Sequence, residues 1–416
     1  MSLSILQQPT YLFNSAGNDN FYTVSGTTYL APNTADYQFV ANVYVNGSTL
    51  PACTLASFPD PIYGFGVFNI KKIVSELLSF DFFGDTYGPF HQCLNSSLSI
   101  QIQFAEQYTS GSTFVQSSTL ATSNTIYCIN AARSFLDNLT DPITNYIPAV
   151  SGSTFYYLIG VNRDVVTYNG FTDLNSWIYF INDANISKAV ITTYNANDAQ
   201  VGQYSVSNPY NTYTGILAFD TGYPQLSSLT SEQFTVISGP SSIFGTSVTS
   251  YSVQLTGSGI TSAAEYYDIE NDCGRYAPDA YQVFFLNSLG GFDSWLFNKK
   301  NETTSKKTQA NYKKTQGTLN ANGTYTVQTS DPSTISYYTM LQDSIVFSTD
   351  FLDDQQVIFL KDLYSSPAVY IQQVGGPLIA ANIVKDSYVI NKIVNKKIYS
   401  LSLTVEPQYN DYRQNR

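Results

Sequence analysis

Along most of the chain, apolar and polar residues alternate in short runs. Tyr37, Phe39, Ala41, Val43 and Val45 alternate with Gln38, Val40, Asn42 and Tyr44, and Asn46-Gly47 follow at once. A period of two puts alternate residues on opposite faces of a strand. Asn-Gly tolerates the positive φ angles of a tight reversal, so a strand ending in a hairpin turn is predicted. Leu98, Ile100, Ile102 and Phe104 alternate with Ser99, Gln101, Gln103 and Ala105, the pattern of a strand with one wet face. Between 150 and 268, Tyr156 to Val161, Trp177 to Ile181, Ala189 to Tyr194 and Val253 to Leu255 are apolar or β-branched runs separated by Asn, Gly and Ser clusters. Regular short strands of this kind predict a sandwich.

Two segments change to helical period. Ile70, Ile73, Val74, Leu77 and Leu78 form a stripe at i, i+3, i+4, i+7 and i+8, with Asn69 placed as N-cap. Asp353 and Asp354 open a second helix, expected near 354 to 364, with Val357, Leu360, Leu363 and Tyr364 on one side and Pro367 beyond its end. The expected fold is mainly β: multi-domain β-sandwich modules with two short amphipathic helices. The modules are placed at 1–145 (a β-sandwich with one helix), 146–268 (a β-sandwich or jelly-roll-like domain) and 269–416 (a β domain with one packed helix). The expected core of the third is Val346, Val357, Leu360, Leu363, Val369, Ile371, Leu401 and Leu403.

Composition narrows the function classes. Charged residues are 12% of the chain, about half the usual share, and aromatics are 15%, with 34 Tyr and 26 Phe. Wholesale disorder is excluded by that apolar content. The net charge of −12 argues against a nucleic-acid partner, which needs a broad basic surface. No run approaches the roughly 18 apolar residues of a membrane-spanning helix, and no membrane partner is expected. The first residues, Met1 to Gln8, lack a basic region and a long apolar core, so no cleaved signal peptide is expected. Cys53, Cys93, Cys128 and Cys273 show no CxxC spacing. They read as buried or half-buried thiols, with a disulfide or two left open.

Candidate chemistry is sparse. His91 is the single histidine, so any Ser-His-Asp or Cys-His mechanism must use it. Cys93 lies two residues on, but no G-x-S-x-G elbow occurs, and a structural histidine is the preferred reading. Gly64-Phe65-Gly66 lacks the rest of a dinucleotide fingerprint and reads as a turn into the first helix. Asp268, Glu270 and Asp272 alternate, and Asp279 is the twelfth position from Asp268. That spacing resembles a calcium loop, against which stand a misplaced Gly274 and the lack of flanking helices. No catalytic residue, metal or cofactor is assigned. Tyrosine-lined loops of the middle module leave a second reading open, a binding module for host-surface glycans.

Charge changes sign once. Lys299, Lys300, Lys306, Lys307, Lys313 and Lys314 lie within sixteen residues that contain one acid, Glu302. This segment carries +5 and the rest of the chain −17. Three readings stand: an edge hairpin whose lysines block strand addition, a basic arm that docks on an acidic neighbouring subunit, and a nucleic-acid arm.

Several stretches resemble β-rich virion proteins of tailed double-stranded DNA phages of Bacteroidetes-type hosts, including crAss-like phages. The resemblance rests on Tyr37 to Gly47 followed by Tyr63 to Ile70, on Ile100 to Tyr108, on Phe285 to Trp295 leading into the lysines, and on Leu360 to Tyr370 with the final strand through Leu401 and Leu403. Asn69 stands where that pattern has Asp, and Cys53 lies within the first module. The resemblance implies a non-enzymatic structural role in a tail, baseplate or neck. It also implies location in the virion after assembly in the host cytoplasm, with other virion proteins and copies of itself as partners in a cyclic homo-oligomer.

Overall fold

The computed structural model describes residues 3–26, 34–84, 88–148, 154–159, 168–169, 174–183, 185–269, 280–299, 301–349, 352, 354–384, 389–393, 398–408 and 413–415. Strands make up 51% and helices 9%, so the fold is mainly β. The chain forms two compact units, Met1–Asn271 with Leu286–Asp293, and Asp272–Phe285 with Ser294–Arg416.

In the first unit, one sheet takes Ser4–Gln7, Phe21–Ser25 and Gly66–Asn69 in that order. A larger sheet runs Phe13–Ser15, Ile126–Ile129, Ser97–Ser110, Thr34–Val45, Cys53–Ser57. The two share one core. Tyr22, Val24 and Phe68 come from the small sheet, and Phe39, Ala41, Val43, Ile100, Ile102 and Phe104 from the large one. The predicted alternation is present, with Ile100, Ile102 and Phe104 buried and Ser99, Gln101 and Gln103 half-buried. Asn46 and Gly47 have φ of 51° and 70°, and the Ser48 N–H donates to the Val45 carbonyl at 3.0 Å. The chain rejoins Thr34–Val45 as its antiparallel neighbour only at Cys53, opposite Val43.

The first helix is Lys71–Leu77 and buries Val74 in that core. Ile70, not Asn69, is its N-cap. The Asn69 Oδ1 still accepts the Lys71 N–H at 3.0 Å, so the amide satisfies the first free helical donor from one residue further out. Gly64 sits in a turn with φ of 72°, but Gly66 begins a strand rather than a helix entry. A Cβ at Gly66 would lie 2.5 Å from the Phe39 ring, so glycine lets the two sheets approach.

Residues on both sides of 145 belong to the first unit, because Phe90–Cys93 pairs with Thr214–Asp220, Phe90 opposite Phe219. Trp177–Asp183 pairs with the other edge of Thr214–Asp220. A separate sheet holds Ile186–Tyr194 between Gln200–Ser207 and Ser250–Gly257. Tyr156 to Ile159 does not form the expected strand; Thr154–Phe155 does, while Tyr157 and Leu158 are fully buried beside it. The Tyr157 hydroxyl bonds Ser262, and Tyr251 donates to the Thr221 carbonyl at 2.7 Å.

The second unit is built on one large sheet, with a helix and a small separate hairpin. The sheet order is Phe292–Phe297, Tyr281–Leu286, Val369–Gln373, Leu378–Ile383, Ile398–Pro407, Thr334–Ser348, Glu302–Lys313. The helix Asp354–Ser365 places Phe359 on Phe285 and Trp295, with ring centroids 5.6 and 6.0 Å away. Leu360, Leu363, Val369, Ile371, Leu401 and Leu403 are buried as expected. Two members of the expected core need correction: Val346 and Val357 are only half-buried. The buried positions are instead Ile345, Phe347 and Phe359. Phe347 points inward to stack on Phe297 at 5.2 Å, which turns Val346 to the opposite face of its strand.

Candidate functional site

Two places concentrate the polar chemistry: the buried surroundings of His91, and the lysine-bearing strand.

His91 lies on Phe90–Cys93 and is buried. Its Nε2 is 2.8 Å from Asp220 Oδ1, at the end of the neighbouring strand. The other carboxylate oxygen accepts the Gly88 N–H at 3.1 Å, and Phe83 stacks on the imidazole at 4.3 Å. Burial raises the Asp220 carboxyl above the usual carboxylate range, an effect opposed by its hydrogen bonds to His91 and Gly88. Cys93 is fully buried, and burial together with the charge of Asp81 pushes its thiol well above the ordinary range. A Cys-His nucleophile needs a thiolate, which this environment disfavours. The arrangement ties a strand end to its neighbour through one buried hydrogen bond. The pairing with Asp220 left no sequence signal, because the partners are 129 positions apart.

Asp268 closes the strand Glu265–Asp268 and is exposed. Glu270, Asp272 and Asp279, the other members of the calcium candidate, lie outside the described residues, as does Cys273. Among the described residues, no three His, Cys, Asp or Glu side chains gather closely enough to hold a metal ion. The cysteines described, Cys53, Cys93 and Cys128, are free thiols. In the middle of the sequence, Tyr157, Tyr179, Tyr204, Tyr251 and Tyr267 are fully buried, whereas Tyr156 and Tyr266 are exposed.

The lysines have a definite setting. Lys306, Lys307 and Lys313 lie on Glu302–Lys313, the last strand of the second unit's sheet. Lys299 and Lys314 flank it, and Lys300 lies outside the described residues. Every residue of the strand is exposed except Ala310, which is half-buried. Its partner is Thr334–Ser348, paired from Glu302↔Val346 to Lys313↔Thr334. Twelve residues of extended chain reach about 40 Å. A small hairpin, Thr318–Leu319 with Tyr325–Thr326, lies within the connection and is exposed throughout.

The register sorts the side chains of this ribbon. Cross-strand partners share a face. Thr308 with Met340, Ala310 with Tyr338, and Tyr312 with Ile335 therefore form one face, and Tyr337 joins it with its ring 6.1 Å from that of Tyr312. Lys307 with Leu341, Gln309 with Thr339, and Lys313 with Thr334 form the other. The first face also carries Lys306, opposite Gln342, and the second carries Asp343, opposite Ser305, beside Lys307 and Lys313, so lysines lie on both faces and the tyrosines on one.

No family model matches this sequence, and no curated protein matches it. Among the described residues, no helix is long and apolar enough to cross a membrane.

Proposed function

We propose that this chain is a non-enzymatic structural protein of a tailed-phage virion, a tail, baseplate or neck component that assembles through repeated subunit contacts. The observation that carries this reading is the ribbon of Glu302–Lys313 and Thr334–Ser348. It is long and paired throughout, with one register shift between Ala310 and Asn311, yet its outer strand buries almost nothing in its own chain. The outer strand is held along one edge only, by Thr334–Ser348, and the exposed Tyr312 and Tyr337 match the residue types favoured at the centres of protein interfaces. The polar chemistry around the single histidine is taken up by a buried structural hydrogen bond. The low charge and the sequence resemblance point the same way.

The test is quantitative mass spectrometry of particles purified from a phage that encodes this chain. The proposal expects it in the particles at a fixed copy number that is a multiple of a cyclic symmetry. A chain abundant in the lysate and absent from purified particles would overturn it.

A further inference from the structure

The two units differ sharply in charge. Residues Met1–Asn271 with Leu286–Asp293 hold 19 acidic and 5 basic side chains, a net of −14. Residues Asp272–Phe285 with Ser294–Arg416 hold 12 acidic and 14 basic, a net of +2. Within the second unit, the segment 299–314 alone carries +5. The ribbon that bears it also bears Tyr312 and Tyr337, each about half exposed.

We propose that the ribbon is the donor half of a head-to-tail contact, docking on the acidic first unit of a second copy of this chain. The inference rests on the reading of the protein as an assembling subunit and names the contact. Charge decides the occupant. Two ribbons packed against each other would set one +5 segment against another, and like charges juxtaposed at an interface oppose association. A ribbon on the −14 unit of another copy places opposite signs together and excludes water from the tyrosine rings. Such a contact is heterologous: each copy offers a ribbon and an acceptor, so the assembly closes into a ring or runs on as a filament. The lysines then serve two purposes, keeping the outer strand from indiscriminate edge pairing and selecting an acidic acceptor.

The experiment uses the full chain. Equal amounts of ¹⁴N- and ¹⁵N-labelled protein are mixed and treated with a carbodiimide, which joins a lysine amine directly to a nearby carboxylate. Mixed-isotope links from Lys306, Lys307 or Lys313 to acids within residues 1–271 are expected. In parallel, the combined K306E/K307E/K313E variant and the Y312S/Y337S variant are compared with wild type by mass photometry over a range of salt. Each should weaken self-association about tenfold or more, and salt should weaken the wild type. Unchanged far-ultraviolet circular dichroism would show that the fold survives. Oligomers that persist in both variants, or mixed-isotope links confined to ribbon residues, would overturn the docking proposal and leave the assembly reading standing. A wild-type chain that stays monomeric at every concentration would overturn both.

Discussion

The imidazole of His91 and the carboxylate of Asp220 meet at 2.8 Å in the interior of the first unit, although 129 positions separate them in the chain. Burial of Asp220 makes its ionised form costly, and the hydrogen bonds from His91 and Gly88 recover part of that cost. Between the ordinary aspartate value and the raised one, the folded chain holds a proton that the unfolded chain releases. Stability from this group therefore falls as pH rises through that window. The Asp220→Asn variant has no such titration. Urea unfolding across acidic to neutral pH should show the wild type losing stability relative to Asp220→Asn as pH rises, then reaching a plateau. Asp220→Ala, which strands the His91 and Gly88 groups, should cost about 1–3 kcal/mol at neutral pH. Parallel pH profiles for wild type and Asp220→Asn would contradict this account.

The second unit's core allows a paired comparison. Phe347 is fully buried between Phe297 and Tyr281, whereas the adjacent Val346 is half-buried on the opposite face. Phe347→Ala should cost about 3–5 kcal/mol, and Val346→Ala within about 1 kcal/mol. On the helix, Leu360→Ala should cost about 2–5 kcal/mol, more than Val357→Ala. Denaturant melts giving equal losses within either pair would refute the register.

Gly66 tests the approach of the two sheets in the first unit. An added methyl there meets the Phe39 ring at 2.5 Å and Val24 at 2.9 Å. Gly66→Ala should destabilise by about 1–3 kcal/mol through overpacking. Gly245→Ala has open space and no positive φ, and should change stability by less than about 0.5 kcal/mol. A neutral Gly66→Ala would mean that the strands sit further apart than described.

The thiols should differ in reactivity. Cys53 is half-buried, while Cys93 and Cys128 are fully buried, and burial pushes the Cys128 thiol up to about 12. Alkylation of the native protein, mapped by peptide, should label Cys53 first and reach Cys93 and Cys128 only on unfolding. Early labelling of Cys128 would contradict its placement between the sheets.

The strands and helices were legible where a local period announced them. Leu98 to Phe104 alternates cleanly, and the buried face follows from the pattern alone. The helix at Asp354–Ser365 showed in its acidic start and its Leu360 and Leu363 spacing. Failures came where adjacent positions were all apolar. Ile345, Val346 and Phe347 form such a run, and period two cannot choose between its faces without knowing where Phe297 and Tyr281 lie. Tyrosine burial was not legible for a related reason. Their hydroxyls are polar in a composition count, yet Tyr251 and Tyr204 satisfy theirs on the backbone carbonyls of Thr221 and Ser242, which makes the interior acceptable. Of the candidate interface, the lysine charge was visible in the sequence. The shared face of Tyr312, Tyr337 and Met340 was not, because it exists only once Glu302–Lys313 is in register with Thr334–Ser348.

The central claim, that this chain works by assembling through repeated contacts, is tested most directly by mass photometry of the purified full-length protein over a concentration series, with negative-stain images of the same samples. The account predicts concentration-dependent oligomers that resolve into closed rings or a regular head-to-tail series. A single monomer peak at every concentration, with no ordered particles in the images, would contradict it.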